Sequence, residues 1–267
     1  MSVGGSHDTG RRVPLRDDVR DPHHERDHFE SLLAARGALY WAERTAAGQR
    51  RRIIRSRLLT LGADVTGPAA RVLEVGCGIG DYTRGLAAAT AGSIVSVDVA
   101  PGLVRHAGAD RPPNVRFVAA DVEALPFASG TFDAVVGNAV LHHLRLERAV
   151  PEMLRVLRAG GRVCFAEPNM LNPQVFLERN VRVIGRLLDN SPGETAFVRW
   201  RIRPALERLG LEDASARPFD FLYPLTPARW IGVVERIGRL LERVPGVAEI
   251  AGSLLIRARK PTGRDGC

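Results

Sequence analysis

Short runs of β-branched and other apolar residues alternate along the middle of the chain with Ala- and Leu-rich stretches of helical period. The runs Arg71–Val75, Ser93–Asp98, Val115–Ala119, Phe132–Gly137 and Gly161–Glu167 are nearly continuous in apolar residues, as strands are when helices cover both faces of a sheet. Between them the spacing predicts helices over Asp81–Ala89, Gly102–Ala109 and Leu146–Leu157. Arg158, Ala159, Gly160 and Gly161 read as a cation-rich end and C-cap for the last of these. Five strand-and-helix units in this order predict an α/β fold with a parallel sheet, its core beginning near Ala69.

The flanks have different rhythms. Residues 1–22 carry little apolar content and no period, and read as a mobile tail. Residues 23–68 place Phe29, Leu32, Leu33, Ile53, Leu58 and Leu59 at helical spacing and read as an N-terminal helical lid, with the break supplied by Gly62 to Pro68. The main domain is expected over 69–261, with cap insertions at about 168–200 and 224–248. The first insertion carries a predicted helix to Leu188 and the turn signals Asp189 to Gly193. After it come a helix at Arg203–Leu209 stopped by Gly210, a strand at Ala214–Phe221, a helix over Pro227–Arg243 and a last strand at Ser253–Ala258. The Pro227–Arg243 helix has an apolar face, with Ile231, Val234, Ile237 and Leu241, opposite Arg229, Arg236, Arg239 and Arg243. Such a helix serves as a lid packed on the core or as an element resting on anionic lipid, and the lid is the preferred expectation.

Composition narrows the class only a little. Apolar residues at 45% and charged residues at 25% describe an ordinary globular protein able to bury a sizeable core. A formal charge of +8 invites a polyanion partner, yet the basic residues, all arginine except Lys260, are spread through every segment and form no stripe. A nucleic-acid partner is therefore disfavoured. Cys77, Cys164 and Cys267 show no paired spacing, so no disulfide framework is expected. Met1 to Arg20 lacks an apolar targeting core, and no stretch reaches the ~18 apolar residues of a spanning helix. The chain reads as soluble, unexported and cytoplasmic.

The candidate chemistry begins where the first strand ends. In Glu74-Val75-Gly76-Cys77-Gly78-Ile79-Gly80 the glycines let backbone approach a ligand and open a helix whose free N–H groups point at it. A dinucleotide fingerprint, G-x-G-x-x-G, fails here: its last glycine would fall on Asp81 counted from Gly76, or on Thr83 counted from Gly78. Glu74 beside the loop would repel a pyrophosphate and suits a cationic sulfonium or ammonium group. Asp98, followed by Val99, ends the second strand where a carboxylate can accept ribose hydroxyls. Asp121 follows the third strand, placed to accept an adenine amino group while Val122 packs on the ring.

Taken together, Glu74 to Gly80, Asp98, Asp121 with Leu125-Pro126-Phe127, Phe132 to Val136, and Leu157 to Gly161 resemble the successive motifs of class I S-adenosylmethionine-dependent methyltransferases. The resemblance spans about Ala69 to Glu167. It implies a Rossmann-like, doubly wound, seven-stranded sheet whose last strand, Ser253–Ala258, runs antiparallel, with S-adenosyl-L-methionine across the carboxyl ends of the first strands. Asn138, ending the fourth strand, is then expected near the cofactor's methionine part, and Tyr40 and Arg44 in a segment closing over it, where Arg44 pairs with its carboxylate.

On the acceptor side, Asn138-Ala139-Val140 departs from the Asn-Pro-Pro-aromatic or Asp-Pro-Pro-aromatic tetrapeptide of methyltransferases that act on exocyclic base amines, which argues against adenine-N6 methylation. His142 and His143 are the candidates for a general base or for acceptor positioning. No metal-ligand spacing occurs, and displacement at a sulfonium methyl needs alignment rather than a metal. Phe176, Trp200, Phe219, Phe221, Tyr223 and Trp230 are expected to shape an apolar pocket for a small-molecule or lipid-like acceptor. A non-catalytic S-adenosylmethionine-binding protein and an RNA methyltransferase stay open as alternatives. The acceptor, the atom methylated and the oligomeric state are not legible in these residues.

Overall fold

A computed structural model describes residues 22–40, 44–181 and 195–262. The expected tail, Trp41, Cys267 and the stretch from Arg182 through the turn at Asp189 to Gly193 lie outside the described residues. Two helices, α1 (Pro22–Arg36) and α2 (Ala46–Ala63), precede β1 (Arg71–Val75), α3 (Asp81–Ala89), β2 (Ser93–Asp98), α4 (Pro101–Gly108) and β3 (Val115–Ala119). Next come β4 (Phe132–Asn138), α5 (Leu146–Val156), β5 (Leu157–Pro168), α6 (Pro173–Asn180) and α7 (Arg199–Arg208). The chain closes with β6 (Glu212–Phe219), α8 (Ile231–Leu241) and β7 (Ser253–Arg259).

The seven strands form one sheet in the order β3-β2-β1-β4-β5-β7-β6. The pairs from β3 through β5 are parallel, and β7 runs antiparallel to both β5 and β6. Strand order reverses between β1 and β4, so a crevice opens above their carboxyl ends, where open α/β sheets bind ligands. The Rossmann-like, doubly wound architecture with its antiparallel last strand is thus as expected.

Successive side chains leave opposite faces of each strand, and each face has its own core. Leu73, Val75, Val135, Val163 and Phe165 lie in one apolar cluster with Val150 and Met153 of α5 and Ile202 and Leu206 of α7. Val72, Ile94, Ala134, Val136 and Cys164 lie in the other with Leu59 and Ala63 of α2 and Leu86 of α3. Cys77 and Cys164 are free thiols in buried positions, and burial pushes the Cys164 thiol up to about 12.

Several boundaries depart from expectation, most of them by a few residues. The stretch Arg158 to Gly161 is no helix cap: α5 already ends at Val156, and Leu157, fully buried, pairs with Phe132. The residues between Leu157 and Arg162 are then accommodated by a register shift against β4, with Gly160 at φ +72°. Helix α8 is shorter than the expected Pro227–Arg243, because a 3-10 turn over Ala228–Trp230 leads into it. Its apolar surface is also divided: Gly238 is buried, its α-carbon side facing Phe221, whereas Val233, Ile237 and Leu240 are exposed. Among the described residues, no helix is long and apolar enough to cross a membrane.

Helix α2 reaches from the sheet to the loop before α8. Its N-cap Thr45 accepts from the Gly48 amide at 2.9 Å and donates its hydroxyl to the Pro224 carbonyl. Thr45→Ala is expected to cost about 1–2 kcal/mol through the lost cap. In urea unfolding the midpoint should fall with the slope unchanged.

Candidate functional site

The glycine loop sits at the carboxyl end of β1 and is anchored by a carboxylate of the neighbouring strand. Asp98, at the end of β2, accepts from the Gly78 amide with Oδ2 at 2.8 Å and from the Ala100 amide with Oδ1 at 3.0 Å. One side chain thereby fastens both the loop after β1 and the turn into α4. Burial raises the Asp98 carboxyl above its ordinary range, opposed chiefly by the amides of Ala100 and Gly78. Gly76, at φ +70°, lies so close to the turn after β4 that a β-carbon there would come within 2.4 Å of Val140 Cγ2. A β-carbon on Gly78, at φ +51°, would meet nothing within 4 Å, so the loop offers open space over its bare backbone. Gly80 forms the left-handed N-cap of α3, and Cys77 donates its amide to Val97 beneath the loop.

Glu74 is placed lower than its sequence position suggests. Its Oε2 accepts from Thr83 Oγ1 at 2.6 Å and Ser96 Oγ at 2.7 Å, and the residue is buried under the start of α3. Burial pushes its carboxyl up to about 7, against the two hydroxyl bonds, with the charge of Asp98 adding to the rise. This oxygen props the loop from below. Thr83 and Ser96 carry no motif and were not singled out from the sequence.

At the end of β3, Asp121 caps a single turn, accepting from the Glu123 amide at 2.8 Å, and Val122 beside it is buried. Val99 is half-buried directly after Asp98. Asp98 and Asp121 therefore stand at the same edge of adjacent strands, their ends linked by the Ala120 amide donating to the Asp98 carbonyl. Tyr40 is partly exposed with the Arg36 guanidinium 5.7 Å from its ring centre, and Arg44 is exposed just ahead of the α2 cap.

The turn after β4 is built around a carboxylate that sequence reading passed over. Ala139 adopts φ +52°, an uncommon conformation for a residue with a β-carbon. Glu167, fully buried at the end of β5, holds this turn: Oε1 accepts from the Val140 and Leu141 amides, both at 2.9 Å. Oε2 lies 2.7 Å from His142 Nδ1, which fixes that buried imidazole. The His142 and His143 rings are 4.2 Å apart. His143 is half-buried, its Nδ1 3.2 Å from Glu25 of α1, with Phe29 edge-on to its ring. Helix α1 crosses this edge of the sheet, since Glu30 accepts from the Gly102 amide at 2.6 Å and Phe29 and Leu33 pack on Ile79 and Leu103. An acid closing an otherwise apolar strand was the available signal for Glu167.

Asn138 faces an arginine of α2. Its Oδ1 accepts from Arg55 Nη1 at 3.1 Å. Arg55, itself buried, also donates to Asp220 Oδ2 and Ser253 Oγ, while Arg51 Nε donates to the same Asp220 Oδ2 at 2.9 Å. Burial would raise the Asp220 carboxyl, but Arg55 and Arg51 outweigh it and hold it below its ordinary value. Burial, with the charge of Arg55, draws the Arg51 guanidinium down despite Asp220. Beside this cluster is a cavity of about 380 Å³ between α2, α6 and the ends of β5, β6 and β7. Of the aromatic residues expected to shape an acceptor pocket, Phe221 and Tyr223 line this cavity. Phe219 is buried in the core, and Phe176, Trp200 and Trp230 are largely exposed.

A family model described as a methyltransferase domain matches residues 73–165. The chain is 31% identical over 210 residues to the 2-methyl-6-phytyl-1,4-hydroquinone methyltransferase of Synechocystis, covering 73% of this chain and 66% of that one. It is 37% identical over 163 residues to the demethylmenaquinone methyltransferase of Beutenbergia cavernae, covering 58% of this chain and 67% of that one. The matches thus span about two thirds of the length of each relative. Among solved structures, an S-adenosylmethionine-dependent methyltransferase from Thermotoga maritima superposes with a TM-score of 0.62 at 17% identity, over 88% of this chain and 99% of that one. At that identity the likeness speaks to the fold.

The raised Glu74 carboxyl has a pH signature. Because its folded pKa of about 7 exceeds the ordinary 4.5, its contribution to stability is complete below about pH 4.5. That contribution is lost as pH rises through 7. Relative to wild type, Glu74→Gln should gain on the order of 2–3 kcal/mol across that window, since each pKa unit is worth ~1.4 kcal/mol. Chemical denaturation at a series of pH values checks this, and a constant difference between the two proteins would contradict it.

Proposed function

The chain belongs to the class I S-adenosylmethionine-dependent methyltransferases, and on that footing we propose that it transfers a methyl group to a small-molecule or lipid-like acceptor above the carboxyl ends of β4 and β5. The observation that carries this reading is Asp98. Its buried carboxylate is lashed to Gly78 and Ala100 directly beside the open backbone of the glycine loop. A carboxylate so fixed retains lone pairs for ligand hydroxyls, and the loop has room where a β-carbon would otherwise stand. These residues fit a nucleoside cofactor.

S-adenosyl-L-methionine, when bound, supplies a methyl group made electrophilic by its sulfonium. Gly76, Gly78 and Gly80, with Cys77 between them, provide the backbone surface, Asp98 and Val99 take the ribose, and Asp121 and Val122 take the base. Glu74 holds the loop in place through Thr83 and Ser96 and contributes negative potential from below. Asn138 borders the methionine end, and Tyr40 and Arg44 are the further side chains assigned to the cofactor. Helix α1 acts as a cover that keeps water from the cleft, its Glu25, Phe29 and Glu30 already in contact with the loops around it.

The two histidines have separate tasks in this reading. His142 is locked by Glu167 and positions the turn that borders the acceptor. His143, less buried and paired with Glu25, takes up the proton released by the acceptor. Most of the rate advantage comes from holding acceptor and methyl group in line. The two relatives are named for a hydroquinone and for demethylmenaquinone, which supports a small, lipid-like acceptor here.

Asp98→Ala is expected to weaken binding of S-adenosylhomocysteine by about 100-fold or more, the loss that two hydrogen bonds to a charged group represent. Isothermal calorimetry reads this. Failure of the unaltered protein to bind either S-adenosylmethionine or S-adenosylhomocysteine at high micromolar concentration would overturn the cofactor assignment. Binding without methyl transfer to any acceptor in a metabolite extract would instead favour a non-catalytic role.

A further inference from the structure

The cavity beside Arg51 and Arg55 is more cationic than an apolar acceptor pocket requires. Three arginines line it, Arg51, Arg55 and Arg179, against the carboxylates Asp220 and Glu178. Asp220 is already engaged, because Arg51 Nε and Arg55 Nε and Nη2 converge on its single oxygen Oδ2. Its other oxygen accepts from the Leu222 amide at 3.2 Å. Glu178 accepts from Gln174 Nε2 at 2.6 Å along its own helix. Among the described residues, Nη1 and Nη2 of Arg51 make no hydrogen bond, although the side chain is only 16% exposed.

The Arg51 side chain is largely buried, and its terminal fork is presented to the cavity, where an anion or water can meet it. The fork geometry matches the two oxygens of a carboxylate or phosphate. Asn172, Gln174 and Ser253 add neutral polar groups to the lining, and Val175, Phe221 and Leu222 add apolar surface for a carbon skeleton. The volume of about 380 Å³ lies at the lower end for small-molecule sites. Arg55 joins this cavity to Asn138 at the end of β4, so a ligand seated here borders the place assigned to methyl transfer.

We propose that the cavity binds an anionic group of the methyl acceptor, a carboxylate or a phosphate, with the Arg51 fork as its principal contact and Arg55 and Arg179 as flanking charges. The assignment rests on the methyltransferase reading for the word acceptor alone. Occupancy of the cavity by an anion is independent of it. Substrates without a negative group are then poor acceptors, and the position of that group relative to the methylated atom is set by the distance from Arg51 to the turn after β4.

The test uses the full chain saturated with S-adenosylhomocysteine, and repeats it without that ligand. Inorganic phosphate, methyl phosphate and benzoate are titrated at constant ionic strength set with chloride, and binding is followed by thermal shift. At least one anion should stabilise the wild-type protein saturably, and Arg51→Gln should weaken that anion by about 10-fold or more while leaving S-adenosylhomocysteine affinity unchanged. Benzoate alone assigns a carboxylate, and phosphate or methyl phosphate alone assigns a phosphate. Arg51→Lys, which keeps the charge and loses the fork, should fall between. As a measurement needing no variant, modification of Arg51 by phenylglyoxal, read by peptide mass spectrometry, should be slowed by the same anion. No saturable stabilisation, or an anion effect untouched by Arg51→Gln, or unprotected Arg51, would overturn the proposal. Loss of S-adenosylhomocysteine binding in the wild-type protein would overturn the methyltransferase reading instead.

Discussion

A carboxylate buried at the end of a parallel strand must find donors, and in this protein those donors are the loops that form the site. Asp98 satisfies itself on the amides of Gly78 and Ala100, and in doing so sets the glycine loop against the turn into α4. Glu167 does the same one side of the switch point away, taking the amides of Val140 and Leu141 and the ring of His142. Glu74 takes two hydroxyls below the loop. Each acid would be expensive to bury without these partners, and each partner belongs to a segment that would otherwise be free to move. The rigid sheet thereby transmits its order to the irregular backbone above it.

The same logic extends past β6, where arginine side chains take the place of amides and hydroxyls as the donors. Asp220, at φ +77° just past β6, gathers Arg51 and Arg55 from α2, more than 160 residues earlier in the chain. Asp220 also accepts from the Gly252 amide with its carbonyl and donates its amide to Glu242. A helix that precedes the sheet, the turn after its sixth strand and the entry to its seventh are thus held at one point. Elsewhere the arginines are spread in pairs: Arg145 with Glu123, Arg158 with Asp133, Arg199 with Glu249. These pairs place part of the chain's positive charge, formally +8 over its full length, against nearby carboxylates.

Helix α1 and the turn after β4 meet above this scaffold. Their contact runs through His143, Glu25 and Phe29, with the buried His142 behind. The strained backbone at Ala139 lies in the turn after β4 and is held there by Glu167, an arrangement in which local cost is tolerated because surrounding bonds determine the conformation. The functional edge is therefore made of stiff strand ends and a covering helix, with its two imidazoles in unequal surroundings.

The amino-acid sequence by itself determined the sheet and the placement of the glycine loop and the acidic strand ends along it. Continuous apolar runs flanked by helical periods gave β1, β2 and β3 to the residue, because burial on both faces leaves no other pattern. The spacing of Gly76, Gly78 and Gly80 with Asp98 and Asp121 was readable because these residues lie at fixed offsets from strand ends. What only the tertiary structure decided was everything that depends on long-range pairing. Leu157 leaves its helix to pair with Phe132, so the expected cap at Arg158 to Gly161 became part of a strand. Glu167 meets His142 only because β4 and β5 are neighbours, and Arg51 and Arg55 meet Asp220 only because α2 crosses the sheet. The arginine lining of the cavity beside Phe221 and Tyr223 has the same cause: side-chain type is local, but which charges face one another is set by the fold.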